Sequence, residues 1–140
     1  QTCALPIYPF GWLSDRMSHA KLLALGLIVL IAADLVLASG HHWWTVLIGV
    51  SLWGVHMGMT QGLLATMVAD NSPADLRGTA YGVFNLISGL AMLVASGFAG
   101  WLWDQYGAEA TFHAGAIYSF IALLGLAVRW RSLVVVLPER

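Results

Sequence analysis

Polar residues gather in a few short clusters along this chain, and four long apolar runs lie between them. The runs cover about residues 21–39, 43–69, 79–103 and 111–130. A helix crosses a ~30 Å hydrocarbon layer with about 20 apolar residues, so each run is read as one membrane-spanning helix. The link at His41-His42 is very short and predicts an antiparallel hairpin between the first two spans.

Periodicity within the runs separates their faces. In the second span, at about 100° per residue, Gly49, Trp53, His56, Thr60 and Met67 share one side. Gly54, Gly58, Gln61, Gly62 and Ala65 share the opposite side. The second set is a small-xxx-small seam, which lets a neighbouring backbone approach closely in lipid. In the third span, Gly78, Tyr81, Gly82, Asn85, Ser88, Gly89, Met92, Ser96, Ala99 and Gly100 follow one line. Val83, Ile87, Leu90, Val94 and Trp101 lie opposite and are expected to face lipid.

Terminal signals fit the same division. Ser18 is placed to cap the first span, and Gly40 suits the left-handed position after it. Ser72-Pro73-Ala74-Asp75 combines a cap serine, a proline at the first helical position and an acid three residues after the cap. The third helix is therefore expected to start at Pro73, before the membrane.

Composition agrees with lipid as the solvent. Of 140 residues, 59% are hydrophobic and 9% charged, against about 25% charged in soluble domains. A soluble domain of this composition would expose large apolar patches. The formal net charge is −1 and no basic tract is present, so nucleic acid is not an expected partner. Charge does orient the spans. With four crossings, Arg16, Lys21, Arg77, Arg129, Arg131 and Arg140 fall on one side, which the positive-inside rule makes cytoplasmic. Tryptophans near span ends suit an aromatic belt, and Trp53 is the exception, deep in a span.

Residues 1–8 are set apart. Gln1-Thr2-Cys3-Ala4-Leu5-Pro6-Ile7 matches the translation of a common sequencing-library adapter, and Tyr8 completes the junction. They are expected to be a scar and are excluded from fold reasoning; the alternative is a real helix end with this sequence. On the first reading Cys3, the single cysteine, is not native, so no disulfide, thiol or zinc site is expected. The chain then begins inside a longer gene, and 9–140 is its native part.

Two stretches carry a family resemblance. Gly11-Trp12-Leu13-Ser14-Asp15-Arg16 resembles the G-x-L-[AS]-D-R signature of the major facilitator superfamily (MFS) of secondary transporters. That signature lies between helices two and three, and recurs in weaker form between helices eight and nine. The stretch from Ala69-Asp70 through Pro73-Ala74-Asp75-Leu76-Arg77-Gly78-Thr79-Ala80-Tyr81-Gly82 resembles the loop between helices ten and eleven. The departure is Met17-Ser18-His19-Ala20, where the family often continues with glycine and basic residues.

The resemblance implies an all-α membrane protein whose four transmembrane helices are helices nine to twelve. They would belong to the C-terminal six-helix half of a twelve-helix fold. Such transporters bind solute near the bilayer midplane between two halves built from inverted repeats. Helix ten would line the cavity, helix eleven would pack beside it, and helices nine and twelve would be peripheral. The expected partners are the lipid bilayer, a small-molecule substrate and the N-terminal helices of the same protein. The fragment alone would not transport.

Candidate residues carry two readings each. His56 lies at membrane depth, where an ionisable group suggests function; it could bind substrate or pass a proton, or it could be a neutral histidine bonded to a neighbouring helix. Trp53 could stack on a substrate or pack, and Thr60 shares its face. Asn85 is a pathway residue or an interhelical hydrogen bond. Asp34 could take part in proton coupling or reach interfacial water or an absent partner. By resemblance, Asp15 and Arg16, with Gly11, form a gating loop whose acid meets a helix N-terminus in the other half. By the same symmetry, Asp75, Arg77 and Gly78 mark the terminus that would receive the equivalent acid. Gly54, Gly58, Gly62, Gly82 and Gly89 are expected in helix packing.

No nucleophile–base pair, paired carboxylates or metal cluster stands out, so neither an enzyme nor a cofactor is expected. The expected function is transport of a small solute by alternating access, with proton-coupled efflux as the mode the family resemblance suggests, in the cell (inner) membrane with a cytoplasmic C-terminus. The alternative is a self-contained four-helix membrane scaffold or interaction subunit.

Overall fold

The computed structural model describes residues 18–40 and 42–136, with side chains as far as 128. The described residues are helical, without strands: α1 (His19–Ala38), α2 (Trp43–Asp70) and α3 (Arg77–Val136). All three are long and apolar enough to cross a membrane. Helices are suited to lipid because they satisfy their own backbone polar groups.

The expected third and fourth spans both fall within α3. Gly107, with φ 83° and ψ 178°, breaks α3 into arms of residues 77–106 and 108–136. This backbone region is essentially restricted to glycine. A straight helix would separate Phe98 from Tyr118 by about 30 Å. Instead their ring centroids are 6.3 Å apart, edge to face. Trp103 and Phe112 meet in the same way at 6.2 Å. The second arm therefore folds back along the first.

Within this chain α1 is the central helix. It packs against both α2 and α3, which touch one another much less. Leu22, Met59 and Leu63 form the buried apolar cluster between α1 and α2, flanked by Leu23, Val29 and Met67. Ala116 and Ser119 are the buried residues of the second arm. The first arm is almost wholly exposed, with Leu86, Ile87, Leu93 and Val94 open along it.

The helix ends depart from the capping expectations. Ser18 occupies the cap position of α1, but its side chain makes no capping bond. Its backbone carbonyl instead accepts from the Lys21 and Leu22 amides at 2.9 and 3.2 Å. Gly40 is not left-handed, since Gly107 is the one described residue with positive φ. The Gly40 amide closes a tight turn onto the Leu37 carbonyl at 3.1 Å, which supplies the orphan carbonyl with a partner without a left-handed residue. Ser72 does not cap the third helix. Its Oγ donates backward to the Val68 carbonyl at 2.6 Å, completing the end of α2. Residues 74–76 form a turn, closed by the Leu76 amide on the Pro73 carbonyl at 3.0 Å, and α3 starts at Arg77 instead of Pro73.

The start of α3 is tied back to α2 by one long-range bond. The Tyr81 hydroxyl donates to the Ala65 carbonyl at 2.8 Å. This places the 71–76 connection across the ends of two adjacent helices.

Candidate functional site

The polar face expected on α2 is the face that meets α1. His56 is half-buried there, with Nδ1 2.8 Å from the Gly26 carbonyl oxygen of α1. For this to be a hydrogen bond, Nδ1 carries a proton and donates to the carbonyl oxygen. Thr60 is buried one turn further on. Its Oγ1 donates to the His56 carbonyl at 2.9 Å, so its polar atom is satisfied within its own helix. Its methyl carbon is left to press on α1. A Cβ built at Gly26 would lie 2.7 Å from Thr60 Cγ2. Gly26 therefore allows the close crossing that brings His56 to its carbonyl.

A second close approach lies near the α1–α2 connection. A Cβ at Gly49 would come within 2.5 Å of the Leu37 side chain. Gly49 and Gly26 are thus on opposite helices of one tight pair, each facing a bulky neighbour.

The remaining expected residues are spread over open faces. Trp53 is 48% exposed. Asn85 is exposed on the first arm of α3. Gly54, Gly62, Gly82 and Gly89 have no heavy atom within 4 Å of an added Cβ. Gly58 is also exposed. Asp75, Arg77 and Gly78 lie exposed at the turn into α3. Gly11, Asp15 and Arg16 lie outside the described residues, as does His41. The structure therefore brings His56 and Thr60 together against α1 and keeps Trp53 and Asn85 out of that contact.

Asp34 is the residue whose surroundings the sequence did not reveal. It is 8% exposed, on the side of α1 that meets α3. An added Cβ at Gly115 would lie 2.9 Å from its Oδ2, so the second arm of α3 approaches the carboxylate directly. Asp34 and Gly115 also border a cavity of about 920 Å³ between α1 and the two arms. Leu90 and Val94, expected to face lipid, line this cavity together with Ala91, Ala95 and Phe98. The reversal at Gly107 brings residues 111–119 alongside this side of the arm, yet Leu90 and Val94 stay 56% and 72% exposed. On the glycine line of α3, Gly78, Gly82, Gly89 and Gly100 are exposed, whereas Tyr81, Ser88 and Ala99 are partly covered and Ala99 borders the cavity.

A model of the Major Facilitator Superfamily matches residues 2–139. The chain is 27% identical over 120 residues to the inner membrane transport protein YajR of Escherichia coli, covering 85% of this chain and 26% of that protein. It is 33% identical over 114 residues to an uncharacterized MFS-type transporter of Methanocaldococcus jannaschii, covering 81% and 28%. A D-xylose transporter of Levilactobacillus brevis is 34% identical over 98 residues, covering 64% and 21%. No solved structure gives a significant match. The chain spans about a quarter of the length of these relatives. The match runs through all three apolar helices and both connecting turns, and the chain belongs to the Major Facilitator Superfamily.

Proposed function

We propose that this chain is part of the C-terminal half of a permease that carries a small solute across the cell inner membrane by alternating access. The observation that carries the reading is the family match over residues 2–139, laid on helices that are long and apolar enough to span. Each arm of α3 is then a separate crossing, giving four spans with the reversal at Gly107 outside the cytoplasm. Arg77, near the turn between α2 and α3, and Arg129, Arg131 and Arg140 in the C-terminal stretch lie on the cytoplasmic side.

In this reading the residues singled out from the sequence divide by role. Trp53 and Asn85, on exposed faces, line the solute pathway. His56 and Thr60 stand behind it and hold α2 on α1 through the Gly26 contact. Gly54, Gly58 and Gly62 on α2, and Gly82 and Gly89 on α3, are packing faces for the helices of the same protein that this chain lacks. The turn at Asp75, Arg77 and Gly78, with the Gly11, Asp15 and Arg16 loop, gates access by docking against the other half. Proton-coupled efflux is the proposed mode of transport.

Solute flux in proteoliposomes containing the intact protein tests this reading. Trp53→Ala and Asn85→Ala should each lower flux while leaving insertion and unfolding unchanged. Full flux in both variants would remove these residues from the pathway. The 140-residue chain reconstituted alone should show no flux above empty liposomes, and flux from it would support a self-contained protein.

A further inference from the structure

The connection from α2 to α3 is held by bonds that are nearly all local. Asn71 Nδ2 donates to the Met67 carbonyl at 2.8 Å, and Ser72 Oγ donates to the Val68 carbonyl at 2.6 Å. The Asn71 and Ser72 amides reach the Met67 and Ala69 carbonyls at 3.3 and 3.4 Å. Carbonyls of the last helical turn, which have no partner within their helix, are satisfied in this way. The Leu76 amide closes the next turn on the Pro73 carbonyl, and the Ala80 amide closes the first turn of α3 on the Leu76 carbonyl. Bonds between residues so near in the chain shape each piece, but they do not set the angle between the two helices.

Tyr81 is different. Its hydroxyl reaches back 16 residues to the Ala65 carbonyl at 2.8 Å. Among the described residues no other hydrogen bond joins α2 to α3. Ala65 lies inside α2, where the Ala69 amide is the regular partner of its carbonyl. A carbonyl oxygen has two lone pairs, and Tyr81 takes up the second. The bond is therefore a tie between helices and not a cap. Packing does not duplicate it along the same line of α3. Gly78 and Gly82 have no heavy atom within 4 Å of an added Cβ, and Asn85 is exposed. Elsewhere α2 and α3 touch one another little.

We infer that Tyr81 is a positioning residue, whose bond to Ala65 fixes the pose in which the 71–76 turn, Arg77 and Gly78 are presented to the rest of the intact protein. Loss of the bond frees the first arm of α3 to swing about the turn. The consequence for access rests on the proposed docking of this turn against the other half; the tie itself does not.

Distances between nitroxide labels in the intact protein in lipid nanodiscs test the tie. Asp70→Cys and Leu86→Cys, both at exposed positions, carry the labels in a cysteine-free background. Tyr81→Phe, which removes only the hydroxyl, should broaden or shift the distance distribution. Tyr81→4-methoxyphenylalanine, with no proton to donate, should do the same. Tyr81→4-aminophenylalanine, which donates through N–H, should restore the original distribution. An unchanged distribution in Tyr81→Phe would overturn the positioning role. So would a broadening that the amino variant fails to reverse, because ring packing would then be responsible. The methoxy and amino variants decide the matter even where Tyr81→Phe fails to fold. Access is read separately, from the reactivity of Thr79→Cys with a membrane-impermeant maleimide. It should rise about threefold in Tyr81→Phe, the equivalent of a typical interhelical hydrogen bond in membranes. Broadened distances with unchanged reactivity would overturn the docking of the turn and leave the tie in place.

Discussion

The Nδ1 atom of His56 lies 2.8 Å from the carbonyl oxygen of Gly26, joining the middle of α2 to α1. Gly26 serves this contact twice, through its carbonyl and through the side chain it lacks. Gly26→Ala would drive a methyl to 2.7 Å from Thr60 Cγ2. Overpacking of this kind costs about 1–3 kcal/mol. Unfolding of the protein in mixed micelles should register that loss. A Thr60→Ser change on top should recover part of it, because it removes the methyl and keeps the hydroxyl. No recovery would mean that the contact is not where the strain arises.

His56→Leu tests the bond itself. Interhelical hydrogen bonds in membranes average about 0.6 kcal/mol and reach ~1.7 kcal/mol. The variant should be destabilised within that range, and Gly26→Ala should cost less in its background than alone. A double-mutant cycle reads this coupling. Additive losses would show that His56 and Gly26 act independently.

Gly107 makes the reversal between the arms of α3. Its φ of 83° with ψ of 178° falls in a region where other residues pay about 1–3 kcal/mol. Open space surrounds an added Cβ there, so the loss expected for Gly107→Ala is conformational and not steric. Gly97→Ala and Gly100→Ala, also in open space but helical, should be neutral or slightly stabilising, as helix propensity predicts. Equal effects at all three positions, measured by unfolding, would contradict the break at Gly107.

Gly62 separates packing within this chain from packing against other helices. Its surroundings are open here, so Gly62→Ala should leave the α1–α2 pair intact and favour the helix by up to ~1 kcal/mol. In the intact protein it should instead destabilise, if another helix uses the seam. A stabilised intact protein would show that the seam is not an interhelical contact.

Topology follows from the charge distribution. Reporter fusions near Gly40 and Asp75 should report opposite sides of the membrane, outside and cytoplasmic respectively. The reverse pattern would overturn the orientation, and a shared side would overturn the crossing of α2.

The apolar runs made the helices legible, because lipid leaves the backbone little choice other than helix. The motif stretches likewise made the family legible, since loop chemistry at fixed spacing is read directly from residues. Local caps were less legible. Ser18 and Ser72 stand at plausible cap positions, yet Ser18 uses its carbonyl and Ser72 turns back to Val68. Short polar side chains have several nearby backbone partners of similar energy, and local sequence does not rank them.

Which face meets which helix depended on tertiary structure. Periodicity grouped His56 with Thr60 correctly, but it could not say that α1 lies against them. Asp34 read as a lone charge near a helix end, and its cavity exists because Gly107 folds the second arm of α3 back along the first. The helical period assigns residues to sides of one helix from local geometry alone. The neighbour on each side is set by chain reversals and by where small residues permit close approach, and both act between residues far apart in the chain.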